Sequence, residues 1–139
     1  MDVVRYQPLH YAQLKVFWER YGWTAPSQDI LPRNGFVAVS ALGRVVGAAF
    51  VYLSQESMAL LDWVVADPSA LEISRGRAVH KTVQACKALA LKEGKKVLYT
   101  VTANEALLRA YERMGFNDME KNATTMAMSL DGSKIDFLR

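Results

Sequence analysis

The chain is poor in the residues that build metal centres and covalent cross-links, with one cysteine and two histidines in 139 residues. Cys86 alone excludes an internal disulfide and any zinc cluster built on thiolates. It falls at an apolar helix position and reads as a small buried hydrophobe. His10 and His80 lie far apart in sequence, so no metal site is expected, and His10 reads as a solvent-facing or capping residue. Long apolar runs are missing too. The longest, Val45–Leu53, contains a glycine and is far too short to cross a bilayer. No charged-then-apolar leader is seen, so no signal peptide is expected and the cytoplasm is the expected compartment. Repeats, low-complexity stretches and linkers are absent as well. The length fits a single domain over residues 1–139.

What is present suits a packed core, because 51% of the residues are apolar. Val3–Tyr6 reads as a short opening strand. Between Pro8 and Trp23, the residues Tyr11, Leu14, Phe17, Trp18 and Tyr21 recur at helical spacing. Residues 24–34, with two prolines, Ser27 and Asp29, read as loop. Gly35–Ser40 and Arg44–Ser54 form a hairpin around Leu42-Gly43. Met58–Ala66 is a further strand, ended by Asp67-Pro68. After a loop over Ser69–Ser74 comes the clearest helix, Arg77–Glu93. Its apolar stripe is Val79, Val83, Cys86 and Ala90, and Gly94 is its stop. Val97–Thr102 is a strand. Asn104 is a good N-cap for a helix carrying Leu107, Leu108, Tyr111 and Met114, closed by Gly115. Thr124–Leu130 is a last strand. This order predicts an α+β fold, an α/β/α sandwich with helices on the faces of a mixed sheet.

The net charge of +3 is modest but unevenly placed. Seven of the 17 Lys and Arg residues fall between Arg75 and Lys96, with Glu93 the one acid among them. Such a patch suits an anionic partner, or it is a solvated helix face. Arg77 and Lys81 would lie in the first helical turn, with Arg75 just before it. Cations there oppose the helix dipole, and a bound pyrophosphate would compensate them.

The strand Leu60–Val65, the Pro68 loop, Arg75-Gly76-Arg77-Ala78-Val79-His80 and the helix that follows resemble the core of the GNAT acetyltransferases. The stretch from Asn104 to Phe116 is similar to that family's Asn-x-x-Ala-x-x-x-Tyr-x-x-x-Gly-Phe ending, with Leu107 in place of the alanine. With the hairpin, the resemblance covers about Val3 to Leu130. It implies a mostly antiparallel mixed sheet of about six to seven strands, splayed at an acetyl-CoA cleft.

The family's pyrophosphate loop usually reads Arg/Gln-x-x-Gly-x-Gly/Ala, and this sequence departs from it. In one register Arg75, Ala78 and His80 take the three marked places. In another, Ile73, Gly76 and Ala78 do. The first keeps Val79 and Val83 on the buried helix face, whereas the second would turn Arg77 and Lys81 into the core. The cofactor-binding set implied by the resemblance is Val64, Val65, Arg75, Gly76, Arg77, Ala78, Val79, His80, Asn104 and Tyr111. Backbone groups around Val64 and Val65 would grip pantetheine and polarise the thioester carbonyl. Tyr111 matches the tyrosine that protonates the departing sulfur, with a core aromatic on the helix stripe as the alternative. Asn104 would contact the pantetheine arm besides capping its helix.

Asp62 is the one ionisable side chain inside Met58–Ala66 and the first choice of general base, with Glu56 a weaker one. Alternation also allows Asp62 an outward polar position. Tyr21, Trp23 and Trp63 are the aromatics placed to line an acceptor mouth or to pack. The implied activity is transfer of an acetyl group from acetyl-CoA to a primary amine by direct attack in a ternary complex. The alternative is a GNAT-shaped module that has lost catalysis and serves binding or assembly. A nucleic-acid partner is disfavoured, since the basic patch lacks interleaved exposed aromatics. No membrane association or metal is expected, and exposed strand edges near the C-terminal end would suit a homodimer.

Overall fold

The computed structural model describes residues 1–134. They divide into two compact units, one over Met1–Thr100 and one from Val101 onward.

The first unit is built on a five-stranded sheet whose strands lie in chain order. These are β1 (Asp2–Arg5), β2 (Gly35–Val39), β3 (Val45–Leu53), β4 (Met58–Ala66) and β5 (Val97–Thr100). The first four are antiparallel neighbours, and β5 joins β4 in parallel. The long helix between β4 and β5 makes that parallel connection, as such a crossover requires. A mixed sheet flanked by helices is therefore found, with fewer strands than the expected six to seven.

Helix α1 (Tyr11–Arg20) follows a short 3-10 turn over Pro8–His10. His10 closes that turn, its Nδ1 accepting from the Gln7 N–H at 3.0 Å. Leu14, Phe17 and Trp18 of α1 bury themselves against Val37, Val45, Ala48, Phe50 and Val65. Helix α2 (Glu72–Lys92) buries Ala78, Val79, Thr82, Val83, Cys86 and Ala90. Ala78 packs with Ala38 and Val46, which alternate along their strands with the residues that meet α1. The two helices thus cover opposite faces. This is why β3 is buried without interruption from Val45 to Val51. Cys86 is fully buried, as expected, and burial pushes its thiol up to about 12.

One close approach fixes how α2 lies on the sheet. A Cβ added at Gly47 would stand 2.8 Å from the Val65 carbonyl oxygen and 3.0 Å from the Ala78 Cβ. The missing side chain lets helix and strands meet at backbone distance.

Three expected boundaries are corrected. Helix α2 begins at Glu72, five residues before Arg77, so the supposed loop Ser69–Ser74 is partly helical. The strand expected over Val97–Thr102 stops at Thr100. Thr124–Leu130 is not a strand, and Met126, Met128 and Leu130 are exposed. Alternation supplies one face of a strand, but a strand also needs a ladder partner, and none is paired to this segment.

In the second unit, helix α3 (Glu105–Arg113) starts at Asn104, whose side chain accepts from the Leu107 N–H at 3.0 Å. It ends on Gly115 at φ +100°, with Gly115 N–H bonded to Glu112 O and Phe116 N–H to Tyr111 O at 3.1 and 3.0 Å. That pair of bonds is a Schellman closure. The Phe116 ring packs on Tyr111 with centroids 5.2 Å apart.

Gly47→Ala should destabilise the protein by about 1–3 kcal/mol through overpacking, read as a lower urea midpoint. An unchanged midpoint would mean the contact is slack.

Candidate active site

Within the first unit, the sheet is irregular between Ala38 and Val39 of β2 and again in the second half of β4. Phe50 pairs with Asp62 and Ala48 with Val65, so Ala49 alone faces both Trp63 and Val64. That two-against-one count is a β-bulge. Trp63 carries it at φ +57°, a left-handed conformation uncommon for a bulky residue. Two bonds hold it there. Its N–H donates to Asp62 Oδ1 at 2.8 Å, and its ring Nε1–H donates to the Tyr52 hydroxyl at 2.8 Å. Tyr52 in turn donates to Ile30 O at 2.8 Å.

The bulge begins where β4 loses its second neighbour. Pairing with β5 runs from Met58–Val97 to Leu61–Thr100 and ends there. The Thr100 hydroxyl closes it, donating to Leu61 O at 2.9 Å. Among the described residues, 62–66 therefore have a strand partner on the β3 side only. Pairing between the two parallel strands stops there because β5 itself ends at Thr100.

Asp62 lies cross-strand from Phe50, on the face that α1 covers. Its carboxyl is pushed above the usual carboxylate range by burial, with the bond from Trp63 N–H pulling the other way. Tyr52 is raised by burial as well, against the lowering effect of its bond from Trp63. Tyr52 is a member of this cluster that sequence reasoning missed. The available signal was its place two residues after the buried Phe50 on β3.

The turn from β4 into α2 is tightly braced. Tyr21 donates to Ala66 O at 2.9 Å, and Arg20 bonds the Ser69 hydroxyl. Asp67 Oδ1 accepts from Ser69 N–H at 2.8 Å, and Arg75 Nη1 donates to Ala70 O at 2.6 Å. The expected aromatics split. Tyr21 stacks on Trp23 with centroids 4.6 Å apart and packs against the core, and Trp63 belongs to the bulge.

The early start of α2 changes where free backbone donors lie. Arg75 N–H already donates to Leu71 O at 2.9 Å. The amides of Gly76 to His80 are inside the helix, where each donates to the carbonyl four residues back. They do not point together at one anion, contrary to expectation. The donors without an intrahelical acceptor are those of Glu72, Ile73 and Ser74. Ala78 and Val79 face the sheet, while Arg77 and His80 are exposed. A third register, Leu71, Ser74 and Gly76, sets the spacing of the pyrophosphate motif on this first turn. Gly76 is not demanded by packing, because a Cβ there would meet nothing within 4 Å. Among the described residues no group of His, Cys, Asp or Glu is arranged to hold a metal, and no helix is long and apolar enough to cross a membrane.

Asn104 and Tyr111 belong to the second unit. There Asn104 is the N-cap of α3, and Tyr111 is buried with the Phe116 ring beside it.

Neither a family model nor a curated protein matches the sequence. Solved structures do. That of Rv2747 from Mycobacterium tuberculosis in complex with CoA and NLQ matches with a TM-score of 0.68 at 17% identity, covering 90% of this chain and 76% of that one. A Trypanosoma brucei acetyltransferase matches at 0.64 with 18% identity, over 93% and 99% of the two chains. The aminoglycoside N-acetyltransferase AAC(6')-Iy in complex with CoA matches at 0.66 with 13% identity, over 92% and 100%. At these identities the likeness is one of fold: the chain has the fold of the GNAT acetyltransferases.

The raised Asp62 gives a signed expectation. A carboxyl held above its unfolded value adds stability that is complete below about pH 4 and is lost as the pH rises through its folded value. Asp62→Asn keeps an oxygen for Trp63 N–H and removes that loss. Its melting temperature should exceed the parent's at pH 7–8, and the gap should close toward pH 4. A gap that widens on acidification would contradict the raised carboxyl.

Proposed function

We propose that the protein is an N-acetyltransferase that moves the acetyl group of acetyl-CoA to a primary amine in a ternary complex. The observation that carries this reading is the bulge at Trp63–Val64, at the point where β4 loses its β5 partner. A pantetheine arm can bond to strand backbone only where no other strand already does. The second half of β4 fits that requirement on its β5 side, one turn of chain before α2. The CoA-bound structures of similar fold support a CoA-type donor.

In this reading the backbone of Val64 and Val65 binds pantetheine and polarises the thioester carbonyl. The pyrophosphate lies at the first turn of α2, on the amides of Glu72, Ile73 and Ser74, where the helix dipole favours negative charge. Gly76 leaves room for its approach, and the exposed Arg77 adds a cation one turn on. Arg75 acts through the turn that it braces. The amine nitrogen attacks the thioester carbon, the C–N bond forms and the C–S bond breaks. Asp62 takes the amine proton, and burial suits it to the task by raising its basicity. Tyr111 returns a proton to the departing thiolate, a role that rests on the motif from Asn104 to Phe116.

The second reading is a binding module without turnover. It draws on the wound-up loop, in which α2 already begins at Glu72. Calorimetric titration with acetyl-CoA and turnover over an amine panel separate the two. Acetyl-CoA binding with turnover supports the enzyme. Binding without turnover of any amine supports the module, and absence of binding rejects both.

Two substitutions test the assignments. Tyr111→Phe keeps the ring, so stability should change little. Loss of the acid should cut turnover about a hundredfold to ten-thousandfold with acetyl-CoA affinity kept; full turnover removes the role. Gly76→Ala should raise stability by up to about 1 kcal/mol, since alanine suits a helix and meets no neighbour. The same change should weaken coenzyme A binding several-fold. Unchanged affinity would place the phosphates elsewhere.

A further inference from the structure

The cations of α2 extend far beyond any nucleotide bound at its start. Arg77, Lys81, Lys87 and Lys92 are all exposed, and among the described residues none of them forms an ion pair. Helix α2 is 21 residues long, which is about 32 Å at 1.5 Å per residue. Lys92 therefore lies roughly 30 Å from the first turn, out of reach of phosphates held there.

The same face carries apolar side chains. Ile73 and Leu91 are 68% and 63% exposed, and they stand five whole turns apart, so they point the same way. At about 100° per residue, Gln84 and Ala88 fall on the same line, with Arg77 between. Lys81 and Lys92 flank it on one side, and His80 and Lys87 on the other. Leu71, 75% exposed, is the N-cap that precedes the helix. Two exposed aliphatic side chains set among cations make a mixed surface of the kind protein interfaces use. A nucleic-acid face would instead interleave aromatics for stacking, and none is present on this one. Insertion into a lipid surface needs a broad apolar face, whereas the broad apolar face of α2 is buried in the core.

We propose that this face docks an acidic carrier protein, which presents an acetyl thioester on its phosphopantetheine arm to the second half of β4. This rests on the acetyltransferase reading, because it is the slot beside β4 that gives the arm a destination. A basic rim selects an acidic partner. The size also fits: a compact domain of about 80 residues has a radius of gyration near 12 Å and so a width of about 30 Å, matching the length of α2. Such a donor brings one phosphodiester in place of a pyrophosphate. The amides of Glu72, Ile73 and Ser74 that would take the pyrophosphate of coenzyme A can take that phosphodiester. The chemistry balances as with coenzyme A. The thioester C–S bond breaks, the amide C–N bond forms, and the thiol stays on the carrier arm with the proton it gains.

The test is fluorescence anisotropy of a labelled, acetylated acyl carrier protein titrated with the full chain at low and moderate salt. It is repeated with Lys87→Glu/Lys92→Glu, a pair remote from the slot. Saturable binding at micromolar concentrations is expected, weakened at least tenfold by the double variant and strongly by salt. Acetyl-CoA affinity should be equal in parent and variant. Three results overturn the proposal: no saturable binding of the carrier, binding that the double variant leaves intact, or tighter binding of an oligonucleotide or of anionic vesicles. Acetyl-CoA affinity and turnover in the parent report separately on the acetyltransferase reading, so the two ideas fail independently.

Discussion

The arrangement of the site depends on a single residue held in an uncommon backbone conformation. Trp63 at φ +57° inserts one extra residue into β4 opposite β3. A bulky side chain does not stay in the left-handed region unless its surroundings over-determine it. Here the Asp62 carboxylate takes its N–H, and the Tyr52 hydroxyl takes its indole N–H. The insertion turns Val65 to the α1 side, where it joins the core with Ala48 and Phe50. The bulge also re-aims the backbone of β4 just past the end of β5. Asp62 therefore has two roles: it pins the bulge, and it carries a carboxyl whose basicity burial raises.

A second constraint links that strand to α2. Gly47 admits both the Val65 carbonyl and Ala78 at distances that a methyl would deny. The start of α2 is thereby set against the end of β4. Arg20, Tyr21 and Arg75 then fasten the intervening turn by their bonds to Ser69, Ala66 and Ala70. The proposed joint use of the first turn of α2 and the second half of β4 needs a fixed spacing, and these contacts maintain it within the first unit.

Much of this was legible in the sequence, for identifiable reasons. The bounds of β4 were read correctly because Asp67-Pro68 ends it and an apolar run broken only by Asp62 fills it. Asn104 and Gly115 marked α3, since a side-chain cap and a left-handed closure are local devices. The start of α2 was misread because its N-cap is Leu71, which offers no side-chain bond, and because Ile73 is apolar yet exposed. That misplacement drew the expected pyrophosphate register onto Arg75–His80, whose amides lie inside the helix. The bulge itself had no sequence signal, because left-handed backbone is ordinarily marked by glycine and here belongs to a tryptophan. Thr124–Leu130 failed for the opposite reason: its alternation is clear, but pairing is a non-local property.

The central claim is that the second half of β4 and the first turn of α2 together receive the donor. An amide NMR titration of the full chain with coenzyme A tests it most directly. The account predicts saturable shifts largest at Val64, Val65 and Glu72–Ser74. Absence of shifts at millimolar coenzyme A, or shifts confined to other residues, would contradict it.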